Sequence, residues 1–394
     1  MSFDIALSGI QAINEQLNTV SNNIANAATY GFKSGRANFS SVYAGTQANG
    51  VEIGSITQNI GQSGSTTTTG RPLDAAIDGS GFFIARDLQG GMTYSRVGIF
   101  TTDTSGFLVD GAGKRVQGYG KSTNGALGAI GDLQVPTGQI PAVATTKVNY
   151  VGNMSADWQT PATAFDPTDP SSYNMVTQSV AFDSLGTQHT INEYYVKTGS
   201  NTVAVYYGID KNAVSATPGN TLTFDTAGQL TSGGTASVSI PAANGAAAGT
   251  VSIDYTGSTL FAGDPTTATN HYDGYAAGAF LGVSLASDGS LVAKYSNDKS
   301  QVVGTLALAT FANQGALTAI GDTSWVANAD SGAALLNAPG VGLSGKLSTG
   351  ALEGSNVDIT SELVGLMTSQ RNYQANSKVL STESQMMQSL MQAM

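Results

Sequence analysis

Both extremities of this 394-residue chain carry large apolar side chains at helical spacing, and that spacing constrains the fold more than any other feature. Over the first thirty residues the apolar positions are Phe3, Leu7, Ile10, Ile13, Leu17, Val20 and Ile24, separated by 4, 3, 3, 4, 3 and 4. A mean step of about 3.5 residues is the seam of a coiled coil. The other faces hold Asn14, Gln16, Asn18, Asn22, Asn23 and Asn26, with Asp4 and Glu15 as the charged groups. A water-facing helix normally carries more charge, so more than one face is expected to meet another helix. The far end repeats the device. Asp358 has the chemistry of an N-cap, and Leu366, Tyr373, Leu380, Met387 and Met394 recur every seven residues, with Ile359, Leu363 and Met391 on the neighbouring track. Gln370, Ser377 and Ser384 are polar, so one side of this seam is amide or hydroxyl. Matching seams predict that residues 1–30 and 358–394 pair as a coiled-coil base whose folding is completed by self-assembly, because isolated helices of this length are marginal. Such stripes also serve as intramolecular core, and the pattern alone leaves both readings open.

The chain between the ends reads as β. Only 11% of residues are charged, while 49 are Gly, and a surface of small neutral groups fits short strands joined by Gly and Asp turns. Residues 31–70 are dominated by Gly, Ser, Thr, Gln and Asn and read as an extended connector. Strands are expected at Gly81–Ala85, Met92–Arg96, Gly106–Val109 and Val116–Tyr119. They return at 283–295 around an Asp288-Gly289 turn, followed by Leu306, Leu308 and Phe311. A separate set lies at Thr190–Lys197, Val203–Tyr207 and Val251–Tyr255. The predicted class is mainly β with a coiled-coil helical base and two nested β-domains. The first is discontinuous, at 71–145 and 276–357, and the second is inserted at 146–275.

Several chemistries are disfavoured. The formal net charge is -11 and the sixteen Lys and Arg form no basic stripe, which argues against nucleic acid. Cysteine is absent and the two histidines, His189 and His271, are far apart, so neither a disulfide framework nor a metal site is expected. Gly111-Ala112-Gly113-Lys114 and Gly79-Ser80-Gly81 lack phosphate-loop spacing and read as turns. Asp74, Asp78, Asp103, Asp110, Asp183 and Asp288 lie near glycines, as turn formers do. His189 sits beside a strand and reads as a surface or half-buried residue. No catalytic residue, cofactor or membrane span is expected, and the N-terminal segment lacks the pattern of a cleaved signal peptide.

The stretch from Asn22 to Lys33, Asn-Asn-Ile-Ala-Asn-Ala-Ala-Thr-Tyr-Gly-Phe-Lys, resembles the N-terminal signature of the flagellar rod and hook axial proteins. Its matching residues include Asn22, Asn23, Asn26, Gly31, Phe32 and Lys33. The segment from Ala351 to Asp358, then Glu362-Leu363 and Gln370–Lys378, resembles the same family's C-terminal signature through Asn356, Asp358, Gln370, Arg371, Tyr373 and Gln374. Tyr94–Phe100 and Gly106–Val109 resemble the family's first β-domain. Tyr30 departs from the family's usual Thr. The resemblance implies a self-polymerising subunit of a hollow helical tube, and the inserted 146–275 favours the hook over the shorter distal rod. It further implies an extracellular location reached by flagellar type III export, a universal-joint role, and contacts with the hook cap, distal rod, hook–filament junction and hook-length-control proteins. A β-rich secreted adhesin or hydrolase shares the composition but not the end signatures.

Overall fold

The computed structural model describes residues 2–44, 47–121 and 127–393; Met394 lies outside them. Two compact units divide the chain. The first comprises 1–137, 282–294 and 300–394, and the second comprises 138–281 and 295–299. The architecture is mostly β, with one long helix from each end of the chain.

The terminal helices lie in the first unit. Helix α1 runs Ser2–Ala25 and helix α2 runs Ile359–Ala393. Helix α2 starts where the sequence places its cap, for the Asp358 carboxylate accepts the N–H groups of Thr360 at 2.9 Å and Ser361 at 3.3 Å. Helix α1 ends without a glycine. Asn26 Nδ2 instead donates back to the Asn22 carbonyl at 3.0 Å and its Oδ1 accepts from Thr29 Oγ1, so side chains satisfy the last turn.

Residues 31–70 are not an extended connector. Strands β1 (Gly35–Ala44) and β2 (Gln47–Gln58) pair antiparallel as a long hairpin, from Gly35 opposite Gln58 to Ala44 opposite Gln47. Most of its residues are partly or fully exposed, so the ladder is held by backbone pairing rather than by a buried face, and composition alone hides it. Strand β3 (Thr66–Thr68) then pairs with Ala351–Glu353, and β4 (Ala75–Asp78) pairs with Lys346–Thr349.

Beyond these, β5 (Phe82–Arg86) and β6 (Met92–Ser95) are central in a larger sheet. It continues through Arg115–Gly120 and Ser300–Leu306 on one side and Ser324–Val326 on the other. Phe82, Ile84, Tyr94, Phe311 and Trp325 form its core, with Phe82 edge-on to both Phe311 and Trp325. Trp325 Nε1 donates to Gln58 Oε1 at 2.7 Å, which ties the foot of the hairpin to this core.

In the second unit two five-stranded sheets share one core. One contains Lys147–Ser155, flanked by Gly249–Asp254 and Thr266–Tyr272; the other is built on Gln188–Gly199 and Thr202–Ile209. Alternation places Tyr150, Tyr195, Val203, Val205, Val251 and Tyr255 inside, all fully buried. Glu193 is buried among them and accepts from Tyr195 and Tyr255, each at 2.7 Å, and from Ser179. Burial raises its pKa because the charged form loses water.

A repeated turn joins the strands. At Asp87, Asp103, Asp110, Asp183 and Asp225, one carboxylate oxygen accepts the N–H groups two and four residues on, and a glycine with positive φ stands at the fourth position. This is the Asp-Gly pairing visible in the sequence. Of the two glycine clusters read as turns, Gly111–Gly113 is the Asp110 turn, and Gly79–Gly81 is a bend after β4 with both Gly79 and Gly81 at positive φ.

Candidate assembly base

The two end signatures meet. Asn23 is buried at the last turn of α1, where its Nδ2 donates to the Gly35 carbonyl at 2.8 Å and to Glu362 Oε1 at 2.9 Å while its Oδ1 accepts the Gly35 N–H. One amide thereby joins α1, the foot of β1 and the first turn of α2. Asn356 does the same from the other end of the chain. Its Oδ1 accepts the Ser34 N–H at 2.8 Å, and its Nδ2 donates to the carbonyls of Asn59 and Gln62. Gly31 adopts φ +69 and donates to the Glu353 carbonyl at 2.8 Å, with Val97 and the Arg96 backbone so close that a Cβ would collide.

Beneath this lies a buried ion cluster. Lys33 Nζ donates to Glu353 Oε1 at 2.7 Å and to the Gln62 carbonyl at 2.6 Å; Arg96 reaches Glu353 Oε2 at 3.3 Å and the Gly79 carbonyl at 2.8 Å. All three side chains are essentially inaccessible. Burial pushes the pKa of the Lys33 ammonium below the ordinary lysine value, against the opposing bond to Glu353, and burial likewise lowers that of Arg96. Two cations share one carboxylate, the carbonyls of Gln62, Ile77 and Gly79 take further N–H groups, and Arg96 Nε is left without a hydrogen-bond partner among the described residues. Glu353 and Arg96 are absent from the site residues drawn from the sequence. The signal was present, since each is a lone charge in a charge-poor stretch.

Along the helices the predicted seam is only partly buried within the chain. Asn23 meets Glu362 and Gly9 abuts Asn376, so α1 and α2 run antiparallel. The residues α1 buries are Ala6, Gly9, Ala12, Ile13, Val20 and Asn23; of the predicted seam only Ile13 and Val20 are among them. Ile10, Leu17 and Ile24 are half-buried, and Phe3 and Leu7 are exposed. Small side chains let the helices approach closely, which turns the bulky ones outward. On α2 the contrast is sharper. Ser369 is the buried residue, Leu366 and Leu380 are half-buried, and Ile359, Leu363, Tyr373 and Met387 are exposed. Gln370, Arg371 and Gln374 are also exposed and stand apart from the joint; Gln370, Tyr373 and Gln374 line a cleft of about 170 Å³ with Asn14 and Leu17. Asn22 is exposed, whereas Asn26 and Phe32 are half-buried.

A groove of about 740 Å³ runs between Thr19 and Val20 of α1, the foot of the hairpin at Gly35 and Asn59, and Glu362 of α2. It is open and mostly polar. Among the described residues no three His, Asp or Glu side chains are grouped to hold a metal, and no helix is long and apolar enough to cross a membrane.

Known proteins match these parts in order. Residues 3–33 match the family described as Flagella basal body rod protein, 76–156 the Flagellar hook protein FlgE/F/G D1 domain, 153–275 the Flagellar basal body protein FlaE D2 domain, and 348–393 the Flagellar basal body rod FlgEFG protein C-terminal. The chain is 39% identical over 401 residues to the flagellar hook protein FlgE of Salmonella typhimurium, covering 99% of each. It is 38% identical to that of Escherichia coli K12, again over 99% of each, and 33% identical to that of Brucella suis. The crystal structure of Helicobacter pylori flagellar hook protein FlgE2 shares its fold, with a TM-score of 0.52 at 16% identity over 71% of this chain and 98% of that one. Likeness along the whole length leaves the distal-rod and adhesin readings without support. With the two end signatures folded into one base and relatives 38–39% identical aligned over 99% of its length, the chain belongs to the flagellar hook protein family.

Proposed function

We propose that this chain is the structural subunit of the flagellar hook and polymerises through α1 and α2 into a hollow helical tube. The observation that carries this reading is the state of α2. Ile359, Leu363, Val364, Met367, Val379, Met386, Met387, Leu390 and Met391 are all exposed on one helix, more apolar surface than a water-facing helix retains. Packing each such side chain against a neighbour contributes about 1.5–3 kcal/mol before ordering costs. The base helices thus line the tube, and the β units form its outer contacts. Those contacts are weak and replaceable because their surfaces are made of small neutral side chains, which suits a universal joint that transmits torque from rod to filament while it bends. The role is structural, with no reaction and no cofactor of its own. The subunit reaches the exterior through the flagellar type III apparatus. Its neighbours are other copies, the hook cap, the distal rod, the hook–filament junction and the hook-length-control protein.

Limited proteolysis of dilute subunit beside polymer tests this reading. Cuts within α2 are expected in the subunit and protected in the polymer. Equal protection of α2 in both would refute assembly through this helix.

A further inference from the structure

The exposed surface of α2 has a particular chemistry. Met367, Met386, Met387 and Met391 lie on it, exposed to 51%, 55%, 65% and 78%, whereas Met154 in the second unit is fully buried. The helix register explains the concentration near the end. With Asn23 at Glu362 and Gly9 at Asn376, Ser2 comes level with about residue 383, so the last ten or so residues of α2 run roughly 15 Å beyond α1. Gln385, Met386, Met387, Leu390 and Met391 occupy that extension, and all are exposed. Methionine adapts its shape to an apolar contact, but an exposed thioether is also open to oxidation.

We propose that these four methionines form a redox-sensitive modification site that sets whether a free subunit can assemble. This inference rests on the assembly role of α2. Peroxide is the oxidant class. A sulfur lone pair attacks one peroxide oxygen, the S–O bond forms as the O–O bond breaks, and water leaves after proton transfer. The sulfur loses two electrons and the peroxide gains them. The resulting sulfoxide places a strong acceptor where an apolar helix contact must close, and burying it without a donor opposes packing. Incorporated subunits hold the same sulfurs inside the contact and are protected.

The test treats the full-length subunit with hydrogen peroxide, maps methionine sulfoxide by mass spectrometry, and measures growth on preformed polymer seeds. Oxidation is expected at Met367, Met386, Met387 and Met391 and not at Met154, whose protection certifies an intact second unit. The subunit concentration needed for growth should rise about tenfold or more. A variant carrying M367L, M386L, M387L and M391L, with M394L so that the C-terminal segment has no thioether, should grow equally well before and after peroxide although Met92 remains. Methionine sulfoxide reductase should restore growth of the oxidised wild type, an arm that stands even if the leucine variant assembles poorly. Normal growth of the oxidised wild type, equal inhibition of the leucine variant, or no recovery after reduction would overturn the proposal. Failure of the assembly role itself would look different, since untreated subunits would then grow with α2 still open to protease.

Discussion

The second unit and the helical base solve the burial problem in opposite ways. In the second unit two sheets close on a common core, and Tyr150, Tyr195, Val203, Val205, Val251 and Tyr255 are all fully buried. Its most deeply buried carboxylate, Glu193, has three hydroxyl donors and, among the described residues, no cation in a salt bridge with it. In the base two cations share the one buried carboxylate of Glu353, yet the apolar surface stays open along α2. A region finished within its own chain can tolerate a lone buried acid, because its apolar core supplies the stability. A region completed by neighbours needs a rigid polar joint to hold its helices in position before the neighbours arrive.

Each tryptophan reports on one region, Trp158 packed against the second unit's core and Trp325 in the core of the first. Fluorotryptophan NMR during denaturation can therefore read the two separately. The largest effect is expected for Glu353→Gln, which leaves Lys33 and Arg96 buried without a counter-charge and should destabilise the first unit by about 3–5 kcal/mol. The Trp325 resonance should shift its midpoint and that of Trp158 should not. A common shift would break the comparison.

Asn23→Ala removes the bonds to both backbone groups of Gly35 and is expected to cost about 1–3 kcal/mol in the same region. Hydrogen exchange should quicken at Gly35 and along the foot of the hairpin. Gly31→Ala forces a Cβ against Val97 and the Arg96 backbone at positive φ and should cost about 1–3 kcal/mol. Unchanged stability in that variant would mean that the joint yields.

The smallest effect is a pH dependence confined to the second unit. His189 is bonded to Asp210 at 2.8 Å and faces Asp183, and both carboxylates raise its pKa. A raised folded value stabilises below the ordinary imidazole value of about 6.5, and that contribution is lost as pH rises through the folded value. Glu193, raised by burial, has the same sign, and its contribution begins to be lost as pH rises above the ordinary carboxylate value. Asp183 and Asp210 are held low, so their contribution is present above the ordinary carboxylate range and lost only as pH falls through their folded values. Between about pH 6 and 8 the Trp158 transition should lose a few tenths to about 1 kcal/mol, discounted for the partial exposure of Asp210. His189→Gln should flatten this slope, and a slope carried equally by Trp325 would refute its assignment.

Much of this was readable from residues alone. Helix phasing gave α1 and α2, Asp358 gave the start of α2, and Asp beside Gly gave the turns. The hairpin at 35–58 escaped because backbone pairing holds it and its side chains leave no clean burial pattern. The seam of α1 escaped for another reason. Periodicity locates an apolar face without saying whether the partner is within the chain or beyond it. Here Ala6, Gly9 and Ala12 took the internal contact and left Phe3 and Leu7 outside. The signature residues were recognisable, but their task was not, since Asn23, Lys33 and Asn356 gain meaning only from partners far away in sequence.

The bond from Lys33 to Glu353 closes a loop of 320 residues. Contacts of such separation form late, after local turns and sheets, because the intervening chain must be ordered first. The joint therefore works as a completeness check in time. A chain interrupted before Glu353 would bring Lys33 and Arg96 into place without their carboxylate partner, and its base would stay loose. Only a chain that continues through Glu353 can lock.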